Sequence, residues 1–439
     1  MKSASLDLLT ARRFLPLFAT QFLGAMNDNV LKNALVILVI FKLADASGMN
    51  GQLPATAAAG IFILPFFLLS AMAGQLADKM DKRILAIWVK ASEVAIMALA
   101  AIGFFAESIA ILMTALFLMG VHSTFFGPIK YSILPVHLAR GELLAGNALI
   151  EAGTFLAILI GTILGGVLIL PAGGIVMTTA LMMAVALGGL ASSLCIPSAP
   201  PAAPDLRIDV NPFSATRSLV RDACADRTIW LSILGISWFW LVGATFLSQL
   251  PAFTRDVLGA DEHVVTLFLT VFSVGIGLGS LLCVRLLRGD IAATYVPLGA
   301  LGMSAFGIDL FFAASAVPIH GGGLMTLGAF LGHFHAWRIV IDLLLVAVFG
   351  GLYIVPLYAL LQARGEESHR SRIIAANNVI NAAFMVVAAL ATAIMLIAGF
   401  SVPTVFLTVS VLNLAAAAVL WPLSRGAQPR GPGDQALGV

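Results

Sequence analysis

Charge is scarce in this chain: Lys, Arg, Asp and Glu make up 10% of 439 residues, while 60% are hydrophobic. So few charges exclude a soluble globular surface, on which about a quarter of residues are charged. The net charge of +2 offers no basic field for nucleic acid, and no nucleic-acid partner is expected. Cysteine is rarer still. Cys195, Cys224 and Cys283 have no C-x-x-C spacing, which excludes a disulfide framework and a cysteine-based metal site. His320, His333 and His335 fall in a Gly-rich outer segment, and neither a metal nor a cofactor is expected. No H-x-x-x-x-D acyltransferase pattern occurs, so the chain is not expected to be an enzyme.

Long apolar runs take the place of charge. Runs of about 20 residues, each long enough to cross a hydrocarbon core of roughly 30 Å as a helix, recur along almost the whole length. They lack the alternation of barrel strands, so the expectation is an all-α membrane protein. Six spans are placed at Phe14–Leu43, Ala55–Ala77, Ile84–Ala106, Ser108–Ile129, Ala148–Leu170 and Gly173–Ile196. Six more are placed at Ile229–Phe253, Val264–Leu287, Ile291–Val317, Ile339–Gln362, Ile373–Ala398 and Val402–Leu423. The resulting domains are a six-helix bundle over 1–196, a linker over 197–228, a second six-helix bundle over 229–425 and a disordered Gly/Pro/Gln-rich tail over 426–439. Arg12 and Arg13 precede a first span that ends without a small-residue cleavage site, so that span is expected to stay as an anchor.

The linker opens with the Pro/Ala-rich run Pro197–Pro204 and then carries Arg207, Arg217, Arg221 and Arg227 among four aspartates. Asn211–Asp226 reads as a short amphipathic helix with Phe213, Leu219 and Val220 toward lipid, or equally as solvated linker. With both termini inside, Lys2, Arg12, Arg13, Lys79, Lys82, Arg83, Lys130, Arg140, the linker arginines, Arg285, Arg288, Arg364, Arg370, Arg372, Arg425 and Arg430 all fall on the inner side. Only Arg255, Lys42 and Arg338 fall outside, so the positive-inside rule makes both termini cytoplasmic.

Between the second and third spans lies Gly74-Gln75-Leu76-Ala77-Asp78-Lys79-Met80-Asp81-Lys82-Arg83. Gly74 permits close helix approach, Asp78 is able to cap or pair with a neighbouring helix end, and Lys82 and Arg83 sit among lipid headgroups. This loop resembles the G-x-L-A-D-R-x-G-R-K signature of the major facilitator superfamily, with Asp81 where the family has Gly. The resemblance implies a major facilitator fold and makes Gly74, Asp78, Lys82 and Arg83 a conformational latch. A degenerate second copy runs from Gly279 to Arg288, with Cys283 at the position of Asp78.

Ionisable residues inside the spans are expensive in lipid and point to a cavity or a partner. The first span carries Asn27-Asp28-Asn29 and then Lys32 and Asn33. Asp28 and Lys32, four apart, share a face and read either as a structural ion pair or as lining of a central cavity. Lys90 and Glu93 read as a pair near the cytoplasmic end of the third span. Arg338 and Asp342 read as a second pair, Asp309 has no sequence partner, and His122 reads as a packing histidine. Lys130, placed just past the fourth span at the inner surface, is able to reach a phosphate or Glu151. Asp28, Asn29, Lys32, Lys130, Glu151 and Asn377 form the candidate substrate or ion pathway. Gly161 and Gly165 have small-xxx-small spacing for close helix packing.

Three further stretches narrow the resemblance. Pro128-Ile129-Lys130-Tyr131-Ser132-Ile133-Leu134 followed by Asn147-Ala148-Leu149-Ile150-Glu151-Ala152, the start Gln21–Asn29, and Val355-Pro356-Leu357-Tyr358-Ala359-Leu360-Leu361-Gln362-Ala363-Arg364-Gly365 resemble the bacterial lysophospholipid transporters. The family's seventh-helix arginine has no counterpart in Phe246–Gln249. The resemblance implies a secondary transporter moving lysophosphatidylethanolamine and related lysolipids across the bacterial inner membrane by alternating access, among membrane lipids, with a coupling cation and a cytoplasmic acyltransferase as partners. It implies polar roles in headgroup handling or gating for Asp28 and Lys130. Two alternatives stay open: an exporter of drugs or small amphiphiles on the same fold, and the membrane module of a larger acyltransferase fusion.

Overall fold

A computed structural model describes residues 7–39, 52–315 and 323–425. Lys2, Lys42, His320, Arg430 and the tail 426–439, all used in the sequence reading, lie outside the described residues. Twelve long helices account for most of the described residues. The first six are α1 Leu15–Leu38, α2 Gln52–Lys79, α3 Lys82–Phe105, α4 Ile109–His137, α5 Leu143–Ile169 and α6 Gly174–Leu194. After a linker helix, Pro212–Ala225, come α7 Arg227–Ala252, α8 Glu262–Leu287, α9 Val296–Ser315, α10 Phe334–Arg364, α11 Arg370–Ile397 and α12 Val402–Arg425. Among the described residues, eleven helices are long and apolar enough to cross a membrane, and α1 is not one of them. Its 24 residues are long enough, and the polar run from Asn27 to Asn33 is what lowers its hydropathy.

The few polar residues at helix starts are caps. Asp81, Ser108, Asp226 and Asp261 accept from the first backbone N–H groups of α3, α4, α7 and α8, satisfying donors that a helix leaves unpaired. Asp81 stands in place of the family glycine and works as the α3 cap, accepting from Arg83 N at 2.8 Å and from the linker hydroxyl of Ser198 at 2.6 Å. Burial raises the pKa of its carboxyl, but these donors outweigh burial and hold it below the ordinary aspartate value.

Several boundaries differ from the sequence reading. The fourth span was placed at Ser108–Ile129, yet α4 continues to His137 and encloses Pro128 and Pro135. Neighbouring helices in a membrane bundle tolerate such prolines. Lys130 is therefore inside α4 and not beyond it. α5 begins at Leu143 rather than Ala148, and α9 at Val296 rather than Ile291. In the linker helix Leu219 is buried against α2, α7 and α11 and does not face lipid, whereas Phe213 is exposed.

The packing repeats. Pairs α1–α5, α1–α6, α2–α4, α3–α4 and α3–α6 recur as α7–α11, α7–α12, α8–α10, α9–α10 and α9–α12, so the fold is two related six-helix bundles. The bundles meet through α2–α11, α5–α8, α4–α11 and α5–α10. α11 is buried from Ile373 to Asn377 but exposes Val387, Leu390, Ile394 and Ile397. The bundles thus close at the end bearing the α2–α3 loop, the basic end, while the far half of α11 presents apolar residues at the molecular surface.

Gly161 and Gly165 fix the position of α1. A Cβ on Gly161 would lie 2.3 Å from the Met26 carbonyl oxygen and 2.9 Å from the Asn29 Cβ, and one on Gly165 would lie 2.6 Å from the Val30 carbonyl oxygen. Gly166, one residue on, meets nothing within 4 Å. Gly161→Val is therefore expected to destabilise the protein by about 1–3 kcal/mol, as overpacking does, while Gly166→Val leaves the melting temperature near wild type. Thermal melts of the two variants in detergent check this; equal melting temperatures would contradict it.

Candidate functional site

At the basic end one carboxylate joins the two bundles. Asp78, at the end of α2, is fully buried and accepts from Ser371 N at 3.0 Å, Arg372 N at 3.3 Å and Arg372 Nε at 3.1 Å. It thereby caps the first turn of α11, where unpaired N–H groups and the helix dipole favour an anion. Gly74, one turn earlier, lets α11 come close: a Cβ there would be 2.6 Å from the Ala375 Cβ and 3.0 Å from the Ser371 carbonyl oxygen. Lys82 and Arg83, grouped with them in the sequence, are not brought to Asp78 as hydrogen-bond partners. Lys82 N donates to Ala199 O at 3.0 Å and an Arg83 guanidinium nitrogen to Leu194 O at 2.9 Å, so both tie the loop to the α6 end and the linker. The linker continues along α2, with Lys79 Nζ on Leu206 O at 2.9 Å and Asp209 N on Gln75 Oε1 at 2.7 Å.

A second seam joins α5 to α10, where Asn147 and Gln362 exchange side-chain amide hydrogen bonds of 2.8 Å each. Above it, Tyr131 stacks on Tyr358 with ring centroids 4.4 Å apart. The Tyr131 hydroxyl donates to Glu151 Oε1 at 2.6 Å, and Trp240 Nε1 donates to the Tyr358 hydroxyl at 3.2 Å. Four helices, α4, α5, α7 and α10, therefore contribute to one polar plug. Its capacity is not filled: Glu151 Oε2 and both side-chain polar atoms of buried Asn377 have no hydrogen-bond partner. Lys130 forms no ion pair with Glu151, and its ammonium sits over the Tyr131 ring, 4.7 Å from the centroid.

Asp28 lies farther from the basic end. Ser123 Oγ of α4 donates to its Oδ2 at 2.7 Å, and its Oδ1 is buried without a partner. The pairing of Asp28 with Lys32 is not made. Lys32 Nζ donates instead to Asn29 Oδ1 at 3.0 Å, and Asn29 donates back along α1 to Ala25 O at 2.8 Å. Ser123 and Lys130 are seven residues apart on α4, two helical turns or about 10 Å along one face. Between them on that face is Gly127, where a Cβ would be 2.6 Å from Asn378 Nδ2 of α11. Asp28, by way of Ser123, and Lys130 thus lie along the face of α4 that meets the α11 amide of Asn378.

Behind Asp28 is a charged group that the sequence reading divided into separate pieces. Lys90 and Glu93 pair, His122 Nε2 lies 3.1 Å from Glu93 Oε2, and Asn27 Nδ2 donates to Glu93 Oε1 at 2.8 Å. Gly24 and Gly189 make room for the Lys90 side chain. The pair sits in the middle of the 24-residue α3, not near its cytoplasmic end, because partners on α1 and α4 are available there. On the opposite face of the other bundle, Arg338 pairs with Asp309 across α9 and α10, Nε to Oδ2 at 2.9 Å, and not with Asp342 one turn along. The interhelical geometry offers two parallel bonds that an i,i+4 contact does not.

The sequence model of the Major Facilitator Superfamily matches residues 17–334. A protein named lysophospholipid transporter LplT from Serratia proteamaculans is 28% identical over 366 residues, covering 82% of each chain. One of the same name from Escherichia coli O1:K1 is 28% identical over 359 residues, covering 79% of each. Among solved structures, the human organic anion transporter MFSD10 superposes with a TM-score of 0.71 at 15% identity over 93% of this chain and 99% of that one. The transporter FucP in its outward conformation also gives 0.71 at 15% identity, over 95% and 98%. Both show the same fold.

If Asp78 holds the basic end shut, a cysteine in place of buried Ser371 should be protected from a membrane-impermeant maleimide added on that side. Adding Asp78→Ala is expected to raise its labelling rate about tenfold, the equivalent of about 1.4 kcal/mol. An unchanged rate would show that the seal does not depend on this carboxylate.

Proposed function

Because the chain belongs to the Major Facilitator Superfamily, we propose that it carries lysophospholipids such as lysophosphatidylethanolamine across the bacterial inner membrane by alternating access. The relatives that bear that name, at 28% identity over most of both chains, support the substrate class. One observation carries the binding mode: Asp28, held by Ser123, and Lys130 lie about two turns of α4 apart, and among the described residues neither makes a direct salt bridge with a protein side chain. A zwitterionic head group supplies both missing partners. Its ammonium pairs with Asp28 and its phosphate with Lys130, while the unpartnered amides of Asn377 and the plug of Tyr131, Glu151 and Tyr358 form the floor.

On this reading the bundles 1–196 and 229–425 rock about the site, joined by the linker 197–228. The basic end is cytoplasmic, as the lysine and arginine distribution favours. A head group entering from the opposite end brings its ammonium to Asp28, and that pairing offsets part of the roughly 2.5–3.5 kcal/mol cost of a carboxylate in the bilayer centre. Release then needs the α2–α11 seam to part. Asp78 and Gly74 are the latch, Lys82 and Arg83 its anchorage to the linker, and Asn29 and Lys32 shape the wall beside Asp28. A cytoplasmic acyltransferase takes the delivered lipid, and a coupling cation is taken at or next to Asp28.

Uptake into proteoliposomes tests the assignment, with lysophosphatidylethanolamine and lysophosphatidylglycerol compared. Asp28→Asn is expected to cut uptake of the ethanolamine lipid at least tenfold while reducing that of the glycerol lipid, which has no ammonium, far less. Lys130→Ala is expected to reduce both. Equal sensitivity of the two lipids to Asp28→Asn would refute the ammonium contact, and wild-type uptake by both variants would place the site elsewhere.

A further inference from the structure

The linker between the bundles does more than cross from one to the other. Ala203 N donates to Asp78 O at 2.8 Å, Lys79 Nζ to Leu206 O at 2.9 Å and Asp209 N to Gln75 Oε1 at 2.7 Å, so the chain runs along α2 away from the basic end. It then turns into the helix Pro212–Ala225, which packs on α2, α11 and α7 with Ala215, Leu219 and Ala223 buried, and it returns to Asp226, the cap of α7. At the turn Val210 and Phe213 are 80% and 79% exposed. The linker is thus a strap over the α2–α11 seam with two apolar side chains at its tip, as in helices that lie at a membrane surface. We propose that the strap, α2 and α11 form a binding site for an anionic phospholipid of the leaflet at the basic end, with one acyl chain in the groove they enclose and the phosphate on Arg217.

The groove holds about 400 Å³ and is lined by Phe67 and Leu68 of α2, Phe213, Arg217 and Val220 of the linker helix, and Val379 of α11. Phe67 and Leu68 lie about 15–16 Å along α2 from Asp78, well inside the apolar span Ala58–Lys79, which sets the groove at the depth of acyl chains. Arg217 comes one turn after Phe213 on a helix that returns to the basic end, and the snorkelling of an arginine stem brings its guanidinium to head-group level.

Charge selects the head group. Of the linker aspartates, Asp209 accepts from Asn211 N at 2.9 Å and from Ser214 Oγ, Asp222 lies 3.7 Å from Arg221 Nε, and Asp226 caps α7. Asp205 precedes the stretch that Gln75 holds on α2. Neither α7 nor α11 has an acidic residue, and Asp78 of α2 is taken up by Ser371 and Arg372. Arg217 is left with no ion pair or hydrogen bond among the described residues. A second polar group of the groove is unmatched as well. Thr216 Oγ1 is buried without a partner, whereas Thr20, Thr154 and Thr245 each donate to the carbonyl four residues back. A phosphodiester supplies acceptors to both, with a charge-assisted bond from Arg217. A zwitterionic head would bring a cation of its own toward Lys79, Lys82, Arg83 and Arg372.

The groove takes one wall from each bundle, α2 from the first and α11 from the second. A lipid seated there touches both only while the seam is closed, so it favours that arrangement. The site is separate from Asp28 and does not depend on what the protein carries.

Native mass spectrometry of the full-length protein released from nanodiscs of equal phosphatidylglycerol and phosphatidylcholine tests the site. Wild type should retain one phosphatidylglycerol in preference to phosphatidylcholine. Arg217→Gln should lower that retention about tenfold, as the loss of one charge-assisted hydrogen bond does, and Val379→Trp, which fills the groove, should lower it too. Arg221→Gln, whose guanidinium already faces Asp222, should leave it unchanged. In a Ser371→Cys background, phosphatidylglycerol should slow labelling by the impermeant maleimide relative to phosphatidylcholine alone, and Arg217→Gln should remove the difference. Wild-type retention by Arg217→Gln would overturn the site, and an equal loss in Arg221→Gln would reduce it to surface charge and overturn it as well. Added lysophosphatidylethanolamine that replaces phosphatidylglycerol in wild type but not in Arg217→Gln would make the groove a cargo site, against the assignment to a membrane lipid. A labelling rate independent of the lipid would refute the effect on the seam.

Discussion

A charge inside a bilayer has to be answered by something, and this structure is organised around how four carboxylates are answered. Glu93 is met in full, by Lys90, His122 and Asn27. Asp78 is met by the start of a helix in the other bundle. Asp28 and Glu151 are each met on one oxygen only. The first two hold the molecule in one arrangement, because removing a partner would leave a buried charge uncompensated at a cost of about 3–5 kcal/mol. The second two each keep one carboxylate oxygen without a hydrogen-bond partner. On the proposed function, these four carboxylates divide by the number of partners they have, not by their depth.

The two bundles repeat their helix contacts but not their chemistry. Asp78 has Cys283 as its counterpart, fully buried and without an acidic function, and Gly279 packs on the α10 backbone, where a Cβ would sit 1.9 Å from Val348 O. The α2 copy therefore bridges the bundles while the α8 copy serves packing within its own. The polar weight of the site is one-sided as well. The first bundle provides Asp28, Lys130 and Glu151, and the second provides aromatic rings and amides, Trp240, Tyr358, Asn377 and Asn378. Such a division suits a rigid charged wall facing one that moves, since neutral amides and rings re-pair with water at lower cost than charges do.

The fold was legible in the sequence because hydropathy marks helices long enough to span, and a Gly-x-x-x-Gly such as Gly161–Gly165 marks close packing whatever the partner. The α2–α3 loop was legible too, but not the identity of its partner: nothing in the spacing of Asp78 points to Ser371 and Arg372 nearly three hundred positions later. Local arithmetic misled where a better partner existed on another helix. Asp28 and Lys32 are correctly spaced to pair, yet their hydrogen bonds go to Ser123 and Asn29 instead. Arg338 likewise bonds to Asp309. The fourth span was placed to end at Ile129 and α4 runs on to His137, which moves Lys130 from the membrane surface into the helix. Asn147 and Gln362 stood inside the family-like stretches, yet only the tertiary structure reveals that they bond to each other.

The central claim is that one zwitterionic head group bridges Asp28 and Lys130 above a floor that seals the basic end. A cryo-electron microscopy structure of the protein in nanodiscs with lysophosphatidylethanolamine tests it most directly. The account predicts the ammonium within salt-bridge distance of the Asp28 carboxylate, the phosphate against Lys130 and the acyl chain between the bundles. Head-group density elsewhere, with Asp28 still bonded only to Ser123 and Lys130 still resting on the Tyr131 ring, would contradict it.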